Sequence, residues 1–253
     1  MHFVCRSLVA GWLLISGELS AQDPLEADQR DFIERFQSDT SPARSTAAER
    51  ANAADVLLSE LARRGLDGER RAYRAPNVHP LLDLVMPPFS GVNITAMIPA
   101  TRANAPVIVI GGHYDSEAGS PGADDNASGI AAVLSIAEAI AAQDERHYAV
   151  MIAFFDQEEE GKVGSAALVR QLLGAGIDIH SMQSIDMAGW GSDNDGAIEI
   201  DAPDDWFQRY ETVASGMGIP VGRARYDSTD HVSFREYGID AICLSEAFRE
   251  RDS

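Results

Sequence analysis

The segment GGHYDSEAGSPGADDNASG, residues 111–129, sets His113 and Asp115 shortly ahead of the adjacent Asp124 and Asp125, in a turn built of Gly, Ser and Pro. Glu158, Glu159 and Glu160 stand together just after the apolar run YAVMIAFF. Neighbouring carboxylates repel, and in a partly dry cleft one of them holds a proton unless a cation sits among them. Asp186, after SMQSI, and His231, in STDHVSF, have the same character. Two imidazoles and several carboxylates without a thiolate suit a divalent metal held by nitrogen and oxygen, zinc foremost. Two ions would account for the crowding of acids. Metals about 3.5–4 Å apart need a bridging carboxylate, for which Asp125 is the natural candidate, and a free carboxylate to handle protons. Glu158 and Glu159 are adjacent and point in different directions, so one can ligate while the other faces substrate.

The elements that must carry these residues follow from the apolar patterning. Residues 25–66 read as helical, with Phe32, Ile33 and Phe36 on one face and Val56, Leu57, Leu61 and Ala62 on another. The extended segments ERRAYRA and GVNITAMIPA follow, separated by a Pro-containing linker. PVIVIGG and YAVMIAFF are apolar on both sides, and SGIAAVLSIAEAIAA between them places Ile130, Val133, Leu134, Ala137 and Ile140 in helical register. Strand, helix, strand predicts a parallel pair with a right-handed crossover. A helix GSAALVRQLL, extended runs SMQSIDM and AIEIDA, a helix from about Pro203 to Met217, a short helix near HVSFREYG and a strand DAICLS complete the pattern. The expected fold is α/β: a single domain with a mixed, mostly parallel central sheet flanked by helices. Ligands of such sheets sit beyond the carboxyl ends of the strands. His113, the Glu158–Glu159 pair and Asp186 each follow an apolar strand, and His231 lies just before the last one.

The whole chain has 253 residues, 45% of them apolar, and a net charge of −20 from forty acids against twenty Lys and Arg. That charge repels phosphate backbones and anionic lipid surfaces, which excludes nucleic acid and membranes as expected partners. Residues 1–21 have the layout of a secretory signal peptide, with Arg6, an apolar run from Leu8 to Ile15 and cleavage after Ala21. The expected location is therefore secreted or periplasmic. Cleavage leaves Cys243 as a single cysteine, read as a buried inert thiol.

The segments GGHYDS, PGADDNASG, FFDQEEEGKVGS, SIDMAG and STDHVSF, in this order, resemble the motifs of the bacterial leucyl aminopeptidase family of co-catalytic dizinc exopeptidases. The resemblance covers roughly Gly91 to Glu246. It implies two zinc ions per chain and a peptide substrate. His113 and Asp186 would hold one ion, Glu159 and His231 the other, with Asp125 bridging. It makes Glu158 the general base and Asp115 the acid that orients His113. It also implies a cis peptide bond between Asp125 and Asn126. Members of the family continue past the last strand with a His-Thr segment and a long helix, which the residues up to Ser253 do not contain. Either this is a fragment, or one face of the sheet is covered differently.

The leading expectation is a zinc aminopeptidase. Alternatives on the same fold are a carboxypeptidase or dipeptidase, a single-zinc glutaminyl cyclase, and a non-catalytic ectodomain like that of the transferrin receptor. His79, His147 and His180 read as surface or satisfied histidines, Asp124 as a turn-former, and Glu160 as solvated. The sequons at Asn93 and Asn126 fall in a strand and in the site, so neither is a good glycan acceptor. Asp193, Asp195 and Gly196 do not fit an EF-hand. Trp190 and Trp206 read as core.

Overall fold

The computed structural model describes residues 24–40, 43–77, 86–189 and 197–247. The expected signal peptide, His79, Trp190, the Asp193–Asp195 turn and the residues after 247 lie outside these. Two helices open the described chain, α1 (Pro24–Asp39) and α2 (Ala47–Arg63). A capping box starts α2: the Thr46 side chain accepts from Glu49 N, while the Glu49 carboxylate accepts from Thr46 N. An antiparallel pair follows, β1 (Gly68–Ala75) and β2 (Phe89–Ile98).

The remaining elements are β3 (Val107–His113), α3 (Gly129–Ala141), β4 (Ala149–Phe155), α4 (Val163–Gly174), β5 (Ile179–Ile185), β6 (Ile198–Asp201), α5 (Asp204–Gly216), β7 (Val221–Arg223), α6 (His231–Arg235) and β8 (Ala241–Glu246). Their order in the single sheet is β1-β2-β4-β3-β5-β8-β6-β7. Strands β4, β3, β5 and β8 are mutually parallel, whereas β2 and β6 join them antiparallel. The expected β3–α3–β4 unit is present, with Val107 opposite Ala149 and His113 opposite Phe155. The three-residue edge strand β7 is the element that apolar patterning did not reveal.

Alternation along the central strands explains their unbroken apolar reading. Ile108, Ile110, Val150, Ile152 and Phe154 pack on the face covered by α1, α2 and α3. Val107, Val109, Met151, Ala153 and Phe155 pack on the opposite face, against Leu168, Val169 and Leu172 of α4 and Phe234 of α6. Both faces are covered, so neither parity of residue meets water. Ile130, Val133, Leu134, Ala137 and Ile140 of α3 are all buried, as the helical register requires. No helix among the described residues is long and apolar enough to cross a membrane.

Candidate metal and catalytic site

The carboxyl ends of β3, β4 and β5 meet at one rim, which opens into a cleft of about 400 Å³. His113, Asp125, Glu158, Glu159 and Asp186 all line it. His113 is the last residue of β3 and is buried. Its Nε2 lies 2.9 Å from Asp125 Oδ1 and 3.5 Å from Asp186 Oδ1. One ligand atom from each of these three residues falls within 4.8 Å of the others. On the other side of the ring, Nδ1 is 3.2 Å from the Asp115 carbonyl and 3.5 Å from Asp115 Oδ1. Both can accept from an Nδ1–H, which leaves Nε2 as the atom turned towards Asp125 and Asp186 and the one a metal would take. Burial works against a charged ring, but the carboxylates of Asp115, Asp125 and Asp186 outweigh it and hold the His113 pKa well above its ordinary value. The surroundings of Nε2 thus favour positive charge, whether carried by a proton or by a metal ion. Asp186 Oδ1 is buried with no hydrogen bond of its own, which suits a ligand oxygen.

The loop that presents Asp125 is tied down from several directions. Asp124 accepts hydrogen bonds from Gly189 N at 2.8 Å and from the Ser128 hydroxyl at 3.1 Å, the turn-forming role expected for it. Asn126 donates to Ile185 O at 3.0 Å and accepts from Gly129 N and Met187 N. The Asp125–Asn126 peptide bond is cis, as the family resemblance implies. Gly112 lets this loop approach β5, since a Cβ there would stand 2.6 Å from Ile185 O.

Asp115 does more than face His113. Its carboxylate accepts from Glu158 N at 3.0 Å and from Glu159 N at 3.2 Å, so one buried side chain ties the end of β3 to the acidic turn after β4. In that turn, burial first and the Asp230 charge second push Glu158 up to about 9. Burial and then Asp125 push Glu159 up to about 7. Asp230 is buried and itself pushed up to about 7, chiefly by burial. The motif STDHVSF drew attention to its histidine, but the aspartate beside it is the group whose charge reaches Glu158.

His231 is not brought into the group. It opens α6 fully buried, behind a cleft wall that includes Tyr226, Ser228 and Thr229. Its Nε2 is 3.2 Å from Asp201 Oδ2 and its Nδ1 is 2.5 Å from Thr229 Oγ1. Burial, then Arg235, lowers its pKa to about 4, so the ring is neutral at pH 7. A neutral imidazole has one N–H and one lone pair. In this arrangement Nε2 faces the Asp201 carboxylate and Nδ1 the Thr229 hydroxyl. Asp201 also receives Arg235 at 2.9 Å and Tyr226 N at 2.8 Å, so it is a fixed partner for the ring. The expected approach of His231 to Glu159 is thus not among the contacts of this structure. Glu159 itself faces the cleft, outside the three-residue group.

Cys243 is buried as expected but belongs to the cleft wall, and burial raises its pKa well above the ordinary thiol value. Among the described cleft residues, Lys162 is the one lysine or arginine. A buried cation that the sequence reading did not single out is Arg44, in the connection between α1 and α2. Burial lowers its pKa to about 10, against the opposing pull of Asp115, Asp125 and Glu159.

This fold is that of zinc exopeptidases. A zinc aminopeptidase from Bacillus subtilis superposes with a TM-score of 0.76 at 14% identity, over 90% of this chain and 86% of that one. A glutaminyl cyclase from Porphyromonas gingivalis superposes with a TM-score of 0.69 at 21% identity, over 89% of this chain and 85% of that one. Residues 93–252, more than half of the chain, match Peptidase family M28, and the chain belongs to that family. Leucine aminopeptidase 1 of Ajellomyces capsulatus is 28% identical over 190 residues, 66% of this chain and 49% of that protein. Leupeptin-inactivating enzyme 1 of Streptomyces exfoliatus is 31% identical over 159 residues, 59% of this chain and 34% of that protein. The chain thus spans about half or less of the length of these curated relatives.

Proposed function

We propose that this protein is a zinc-dependent aminopeptidase that removes N-terminal residues from peptides outside the cytoplasm, in the secreted or periplasmic space. The observation that carries the reading is the convergence of His113, Asp125 and Asp186 in a cleft that Glu158 and Glu159 also line. The donor set fits zinc: one imidazole nitrogen with its other nitrogen directed at acceptors, and carboxylate oxygens of which one is buried without a hydrogen bond. His113, Asp125 and Asp186 are the ligands of a first ion. Asp125 and Glu159 are the described carboxylates that would hold a second, and His231 could join them through Nε2 by exchanging its Asp201 contact while Nδ1 keeps Thr229. Zinc bound there supplies Lewis acidity, lowering the pKa of water and polarising a scissile carbonyl.

The chain's own groups do the rest. Glu158, held protonated at neutral pH in the metal-free cleft by burial and by Asp230, would become the base once a cation bound beside it lowers its pKa: it then accepts a proton from the attacking water and returns it to the leaving amine. Asp115 holds the Glu158 and Glu159 backbone N–H groups and so sets where both carboxylates project. The acids of the cleft attract a cationic substrate end, which favours reading peptides from the free α-amino group. Relatives named as aminopeptidases agree with this choice of end.

One observation favours a second reading. With His231 engaged elsewhere, the described residues offer one three-ligand group, as a single-zinc glutaminyl cyclase would need. Both readings meet one experiment: aminoacyl anilides and an N-terminal glutaminyl peptide offered to the chain with chelator and after zinc is restored. The aminopeptidase reading expects zinc-dependent release of the aniline, with the glutaminyl peptide hydrolysed rather than cyclised. Cyclisation without hydrolysis would establish the cyclase instead.

A further inference from the structure

The match to the peptidase family begins at residue 93, yet the loop that carries Asp125 is held by a residue well before it. Arg44 is completely buried. Its Nε donates to Tyr114 O at 2.6 Å, its Nη1 to Pro121 O at 2.8 Å and its Nη2 to Gly122 O at 2.9 Å. The Arg44 backbone N–H donates to Ser116 Oγ at 3.0 Å, and its guanidinium lies 4.9 Å from the Phe36 ring centre of α1. The three carbonyls belong to the two ends of one loop, which leaves β3 just after His113 and reaches the turn of Asp124 and Asp125. None of the Arg44 hydrogen bonds among the described residues goes to a carboxylate. The guanidinium charge is felt by Asp115, Asp125 and Glu159.

The fork is specific to a guanidinium. Five N–H groups in one plane can meet three carbonyls from two chain segments together, whereas an ammonium is a point donor. Gly122 completes the fit, because it sits at φ +58 and a Cβ there would stand 2.3 Å from Arg44 Nη2.

We infer that Arg44 is a positioning residue for the metal site: by clamping Tyr114, Pro121 and Gly122 it fixes the separation of His113 from Asp125, and its charge offsets that of the acids around them. The inference rests on the metal reading above. It assigns to the helical region outside the family match a part in building the site.

The test compares the full chain with Arg44→Lys and Arg44→Ala. Zinc affinity is measured by competition with a chromophoric chelator, and hydrogen exchange of residues 114–125 is followed in chelator. Loss of a partner behind a ligand typically weakens metal binding about 10–100-fold. Arg44→Lys is expected to fall in that range, with faster exchange across 114–122. Arg44→Ala is expected to regain zinc affinity when guanidinium chloride, but not sodium chloride, is added. A purely structural role would lower the melting temperature of the metal-free chain and leave zinc affinity unchanged. Should Arg44→Ala not fold, Arg44→Lys decides alone. Wild-type affinity and wild-type exchange in Arg44→Lys would overturn the inference while the metal reading stands. A wild-type chain that takes up no zinc would overturn both.

Discussion

The Asp115 carboxylate faces the His113 ring on one side and two backbone N–H groups, those of Glu158 and Glu159, on the other. An ionised carboxylate only accepts, and every group turned toward it can donate. Asp115→Asn keeps the shape but brings an NH2 against at least one of these donors. The expected result is a fold that melts cooperatively, with zinc affinity or turnover down about 10–100-fold, read by metal titration beside a melting curve. Unchanged affinity and turnover would remove Asp115 from its orienting role. His231 teaches the reverse lesson at this scale. Residue type and a loop position near the rim made it a candidate ligand, and in the structure its Nε2 faces Asp201, thirty positions away in the chain. The Thr229 partner of Nδ1 lies within STDHVSF, whereas no local pattern there announces Asp201.

At the scale of elements, the central strands were legible because burial on both faces forces an unbroken apolar run, and α3 because its stripe keeps helical period. Strand β7 was not legible, being three residues long at the sheet edge with little buried surface to leave a pattern. The two arginines that brace the site from the N-terminal helices were invisible for a related reason: a basic residue near a helix end reads as solvated surface. Arg44 reaches the loop after β3, and Arg50 of α2 pairs with Asp156, just past the end of β4, at 2.7 Å. Asp156 is buried, is pushed up to about 6 by that burial, and accepts from Val92 N. Removing one partner of a buried pair strands the other charge, at a typical cost of about 3–5 kcal/mol. Arg50→Met is therefore expected to lower stability by that order in a denaturant titration, and a loss below about 1 kcal/mol would show the pair to be dispensable.

The whole molecule carries a net charge of −20 and gathers several buried acids at one rim. In the metal-free chain Glu158 titrates at about 9 and Glu159 at about 7, both above the ordinary 4.5 that the unfolded chain would show. Between those limits the folded chain binds more protons than the unfolded one, so stability declines as pH rises from about 4.5 towards 9. His231 works the other way at the acid end. Its folded pKa of about 4 lies below the ordinary 6.5, so its contribution is lost as pH falls through that interval. Melting temperatures in chelator should therefore fall from pH 6.5 to pH 9. The increment on adding zinc should grow over the same range, because the ligands must be deprotonated to bind. A metal-free chain that gains stability up to pH 9 would contradict the assignment of these acids to a dry, like-charged site.

Whether His113, Asp125 and Asp186 share a zinc ion is decided by anomalous diffraction at the zinc edge from crystals grown with the metal. The account predicts a peak at about 2.0–2.2 Å from His113 Nε2 and from a carboxylate oxygen of each aspartate. Zinc bound only elsewhere, with these three side chains paired to one another as they stand, would contradict it.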